Sequence, residues 1–92
     1  MISNRFEQFS YAVVIVETYN GFMTIETSIR IWNEGDHYIA HAMPLDVSSA
    51  GVSPDAARSA LREAIALFVS TAHDVGTLRD VLQDCGYDVY PV

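Results

Sequence analysis

No lysine occurs among the 92 residues: the positive charge rests on Arg5, Arg30, Arg58, Arg62 and Arg79 alone, against twelve Asp and Glu. The net charge of −7 argues against nucleic-acid binding by this chain alone, because such binding draws most of its affinity from neutralised phosphates. It favours a basic partner, whose encounter long-range attraction accelerates; acidity also serves solubility by itself. A single cysteine, Cys85, excludes an internal disulfide. With no His or base close by in sequence, it reads as a buried spectator thiol rather than a nucleophile. Long hydrophobic runs are missing too. The longest, Tyr11 to Val16, falls far short of the ~20 residues a membrane-spanning helix needs. The start, Met1 to Phe9, is polar and mixed in charge, unlike a signal peptide. No membrane association and a cytoplasmic location are expected by elimination.

What is present suffices for one core. Half of the residues are apolar and 11% aromatic, above the composition of disordered chains. A chain this short encloses a single core, so residues 1–92 read as one domain. Tyr11 to Val16 is aromatic and β-branched, the composition of a strand, and it runs through Glu17 and Thr18 to Tyr19-Asn20-Gly21-Phe22. Asn-Gly signals a two-residue hairpin, because a type I′ turn needs φ > 0 at both central positions. The return strand, Met23 to Trp32, alternates Ile25, Thr27, Ile29 and Ile31 with Glu26, Ser28, Arg30 and Trp32: one covered face and one wetter face. Asn33-Glu34-Gly35-Asp36 predicts a turn, His37 to Met43 a third strand ended by Pro44, and Val47 to Ala50 a short fourth closed by Gly51.

Ser53 as cap, Pro54 at the first helical position and Asp55 beside the dipole open a helix. Its predicted apolar stripe is Ala57, Ala60, Leu61, Ala64, Ile65, Phe68 and Ala72. A shorter helix is expected to start at Thr77, with Asp80 completing a capping box. It carries Leu78, Val81, Leu82 and Cys85 at helical spacing and stops at Gly86; Asp88 to Val92 reads as a last edge strand. Strands followed by helices make the class α+β: an antiparallel sheet of three or four strands, one long helix on one face and a short second helix.

The order Thr24-Ile25-Glu26, Gly35-Asp36, Tyr38-Ile39-Ala40, Pro44-Leu45, Gly51-Val52-Ser53-Pro54-Asp55-Ala56-Ala57 and Glu63-Ala64-Ile65 resembles the HicB-like antitoxin family over roughly Thr24 to Ala72. Order and spacing carry the resemblance, since no single element is specific. It implies a truncated, noncatalytic RNase H-like sheet with a helix across it. It also implies direct protein–protein neutralisation of a small basic HicA-type toxin that degrades messenger RNA. Three departures stand out. No helix-turn-helix or ribbon-helix-helix module for operator binding is expected within the twenty residues after Ala72, which read as one helix and a strand. Pro44-Leu45-Asp46-Val47 replaces the Gly-Cys that often follows Pro-Glu-Leu-Pro in relatives. Residues 1–22 form an additional strand with no family counterpart before residues 23–92, and Met23 could itself serve as a start codon.

The residues offer little for catalysis, and no enzyme activity, cofactor or metal is expected. Glu17, Glu26 and Asp46 are the strand carboxylates that a two-metal hydrolase would need, but nothing in sequence brings them together. His37 and His41 stand four apart on one strand face, ~13 Å from each other, too far to share an ion. Asp36 and His73 do not repair this. Glu34, Asp36, Asp46 and Asp55 are the candidate partner-binding residues, because they flank the second hairpin and the helix start. Tyr11, Val13 and Ile15, extended by Trp32 and Tyr38, are the candidate homo-oligomer interface. Tyr11 to Val16 is apolar on both faces, so it needs either a central position sealed on both sides or a second subunit. The leading functional expectation is an antitoxin-like binding protein with a small basic partner. The rival is a stand-alone oligomeric ligand-sensing or scaffold domain without a toxin.

Overall fold

The computed structural model describes residues 6–18 and 21–87. It shows an α+β chain whose elements follow the order β1 (Glu7–Thr18), β2 (Gly21–Glu34), β3 (His37–Met43), β4 (Val47–Gly51), α1 (Pro54–Asp74) and α2 (Leu78–Asp84). The strands form one antiparallel meander in the spatial order β1-β2-β3-β4. Alternation in β2 sets the face: Ile25, Thr27, Ile29 and Ile31 are buried, while their even-numbered neighbours face outward. Pairing transmits the choice. Val14 lies opposite Ile25 and Ala12 opposite Thr27, Ala42 opposite Ile29 and Ala40 opposite Ile31, and all four are buried. Thr27, the one buried polar side chain among the described residues, donates its hydroxyl to the Ala12 carbonyl at 3.4 Å.

Helix α1 covers that face. Ser53 Oγ accepts from the Ala56 amide at 3.0 Å, Pro54 occupies the first turn and Asp55 follows it, so the expected start is the observed one. The buried residues are Ala57, Leu61, Ile65, Val69 and Ala72. Phe68, expected in the stripe, packs only at the border of the core, and Val69 is fully buried in its place. The reason is geometric: an i, i+4 ridge winds about 40° around the axis at each step. By the last turns this ridge has carried the contact line past Phe68. The start of α1 meets the end of β4 at close range. A Cβ on Gly51 would lie 2.5 Å from the Ala57 nitrogen, so only glycine lets strand and helix join there.

Three further departures have local causes. β1 begins at Glu7 rather than Tyr11, because Glu7 to Ser10 continue the ladder against Trp32 to Ile29 and Glu7 holds Arg30 across it. Thr77 does not cap α2 with its side chain; its amide and hydroxyl both donate to the Ala72 carbonyl and so close the end of α1. Cys85 is half-buried, packed at the margin of the core. The anticipated turn at Tyr19-Asn20 and the terminal strand from Asp88 to Val92 lie outside the described residues.

The strand preceding Met23 is part of this core, since Ala12, Val14 and Val16 are buried with Ile25 and Leu61. Gly51→Ala is expected to lower stability by about 2 kcal/mol through overpacking, read as a lower urea midpoint with an unchanged slope. A midpoint equal to wild type would refute the close-approach argument.

Candidate functional site

The outward face of the sheet carries Phe9, Tyr11, Val13 and Ile15 on β1, which is an edge strand among the described residues. Among those residues β1 pairs with β2 alone, and of Tyr11 to Val16 only the inner set, Ala12, Val14 and Val16, is buried, so the described sheet does not seal both faces of this segment. Trp32 lies on the same outward face, opposite Ile39. Tyr38 does not. It sits opposite Asn33, one position out of phase with Trp32, and its ring meets Phe6 edge-on at 5.4 Å against the core. Sequence reasoning missed Phe9, Phe22 and Met43 on this face. Phe22 and Met43 are opposite Glu17 and Ser28, so their direction follows once the register is known.

The polar groups of this face are largely paired within it. Arg30 donates to Glu7 Oε2 through Nη2 at 2.6 Å and Nε at 2.8 Å, and its guanidinium lies 4.5 Å over the Trp32 ring. Trp32 Nε1 donates to Glu34 at 2.8 Å, and His41 meets Trp32 edge-on. A hydrogen bond to the Glu26 carboxylate, with some burial and the same negative charge, holds the Tyr11 phenol above its ordinary range. Phe9, Ser28, Arg30, His41 and Met43 border a shallow depression of about 380 Å³.

The acidic candidates divide between two ends of the sheet. Glu34 and Asp36 stand at the β2–β3 turn, where Gly35 takes φ 62°. The Tyr38–Gly51 pairing brings the start of α1, with Asp55, to the same end. Asp46 stands at the far end of β3, in the turn after Pro44, where its carboxylate meets His41 Nε2 at 2.6 Å. Asp36 is held below the usual carboxylate range, chiefly by its hydrogen bond with His37. The two histidines of β3 therefore serve separate aspartates.

Glu17 and Glu26 share the outward face but lie opposite Phe22 and Val13, four positions or ~13 Å apart along the hairpin. Asp46 is elsewhere. Among the described residues no group of three or more His, Cys, Asp or Glu is placed to hold a metal ion, and no helix is long and apolar enough to cross a membrane.

Trp32 is the only tryptophan, so its fluorescence reports on this face. Arg30→Ala uncovers the ring. We expect a red-shifted emission and a stability loss of no more than about 1 kcal/mol; an unchanged spectrum would contradict the stacking. Compared with protein-family models, curated proteins and solved structures, the chain finds no match.

Proposed function

We propose that this chain is a noncatalytic, antitoxin-like binding domain that neutralises a small basic toxin of the HicA type by direct contact. The observation that carries the reading is architectural. The segments that resemble HicB-like proteins fold consecutively into β2, β3, β4 and α1, a sheet with one long helix across a single face, as that resemblance implies. Fold alone does not fix function; the electrostatics supply the second support. The net charge of −7 attracts a cationic protein over a range set by ionic strength. Glu34, Asp36 and Asp55 add local carboxylates at one end of the sheet, and the hydrogen bond with His37 holds the Asp36 carboxyl below its ordinary range.

In this reading the partner's Lys and Arg side chains engage that end, and occlusion of the toxin's RNA-binding surface is sufficient for inhibition. The chain needs no chemistry of its own. The test is co-expression with a small Lys- and Arg-rich protein encoded next to its gene, followed by co-purification and titration; the lack of any such neighbouring reading frame would itself count against the reading. A complex is expected at micromolar concentration or below, weakening as salt rises. The combined variant Glu34→Gln, Asp36→Asn, Asp55→Asn is expected to weaken it at least ~10-fold, with Asp46→Asn near wild type. Absence of a complex at micromolar concentration would rule out the antitoxin role, and equal sensitivity to Asp46→Asn would relocate the contact.

A further inference from the structure

We propose that the outward face of the β1–β2 hairpin is a self-association surface, on which a second copy of this chain packs sheet against sheet. The inference stands independently of the basic-partner reading. Its basis is the exposed area. Phe9 is 70% exposed, Tyr11 60%, Val13 50%, Ile15 66%, Phe22 73% and Met43 48%. At roughly 150–250 Å² for each aromatic and somewhat less for each aliphatic side chain, these six expose on the order of 600 Å². That is at the upper end of the largest apolar patch on a typical monomer, about 300–600 Å². It is also most of the ~800 Å² that a stable dimer takes from each partner. Trp32 and Ile39, half-buried on the same face, supply the margin.

Chemistry selects the occupant. Tyr11, Val13 and Ile15 form an uninterrupted outward row along β1, with Phe9 beyond one end. A row of this kind is complementary to itself under a two-fold rotation, the commonest symmetry of soluble oligomers. Arg30, the guanidinium beside the row, is neutralised by Glu7, so an apolar surface can cover the row without stranding a cation, while the exposed carboxylates Glu17 and Glu26 on the same face add to the repulsion that salt relieves. A strongly basic partner would leave the row uncovered by anything that matches it, since the carboxylates it seeks at Glu34, Asp36 and Asp55 lie at the sheet end. Face-to-face packing places the two sheets ~10 Å apart, in a helix–sheet–sheet–helix order. Edge-to-edge pairing through β1 would leave the same rings in water.

The full-length chain, examined by sedimentation equilibrium and light scattering over a concentration series, is expected at twice its 10.2 kDa mass. Ile15→Glu is expected to give a monomer with an unchanged far-ultraviolet circular dichroism spectrum, because the side chain touches solvent in the single chain. Leu67→Glu, equally exposed but on α1, should remain dimeric. Should Ile15→Glu fail to fold, Ile15→Thr keeps strand propensity and is expected to raise the dimer dissociation constant at least ~10-fold. Salt gives a second readout. Two copies of charge −7 repel, so the apolar dimer is expected to tighten between about 0.05 and 0.5 M NaCl, opposite to a complex with a basic protein. A monomeric wild type at ~100 μM, a dimer indifferent to Ile15 substitution, dissociation by Leu67→Glu, or loosening by salt would each overturn the proposal.

Discussion

Between the isoleucine face of β2 and the Ala57, Leu61, Ile65 and Val69 row of α1, every side chain is withdrawn from water, and that single seam orients the rest of the molecule. A strand has a period of two, so fixing which residues meet the helix also fixes which do not. Ile25, Ile29 and Ile31 turn inward with Ala12, Val14 and Val16; Phe9, Tyr11, Val13 and Ile15 are thereby committed to the opposite side. The outward apolar row is a consequence of the register, and a slip of one residue would exchange the two sets. The alanines at the start of α1 and the glycine closing β4 let the helix lie close enough for the seam to form.

The same register separates two kinds of attraction. On the open face, ions are matched locally: Glu7 with Arg30, and Asp46 with His41. The rest of that face is mainly apolar surface, interrupted by the carboxylates of Glu17 and Glu26; apolar contact acts at short range and strengthens when charge is screened. Glu34, Asp36 and Asp55 gather at the sheet end, where attraction for a cation reaches farther and weakens in salt. An apolar self-contact and an acidic contact to a different protein can therefore coexist on one small chain without competing for residues.

Much of the architecture was legible because adjacent signals agreed. In β2 the alternation of isoleucine with polar residues, and at α1 the Ser53-Pro54-Asp55 start, each name one conformation, and both were found as read. Less was legible where a residue's role depends on something distant. Nothing near Tyr38 in sequence reveals that its phase opposes that of Trp32; this follows from the pairing of Trp32 with Ile39. Val69 was passed over for the bulkier Phe68 because a flat helical projection ignores the inclination of the contact ridge. Thr77 offered a cap by composition, yet its hydroxyl found the carbonyl of Ala72 first. Among the acidic candidates, the shared end of Glu34, Asp36 and Asp55 and the isolation of Asp46 both emerge only from strand pairing.

Each strand in the order β1-β2-β3-β4 is bonded to its neighbour along the chain, so assembling the ladders requires only short loops to close, and little chain entropy is lost before pairing begins to compensate. The remote contacts are of another kind: Arg58 reaching Gln8 across 50 positions and Tyr87 reaching Glu26 across 61. These contacts tie α1 and the segment after α2 back to the first hairpin. The meander can thus zip locally, whereas its cover of helices must be drawn over from the distant half of the chain.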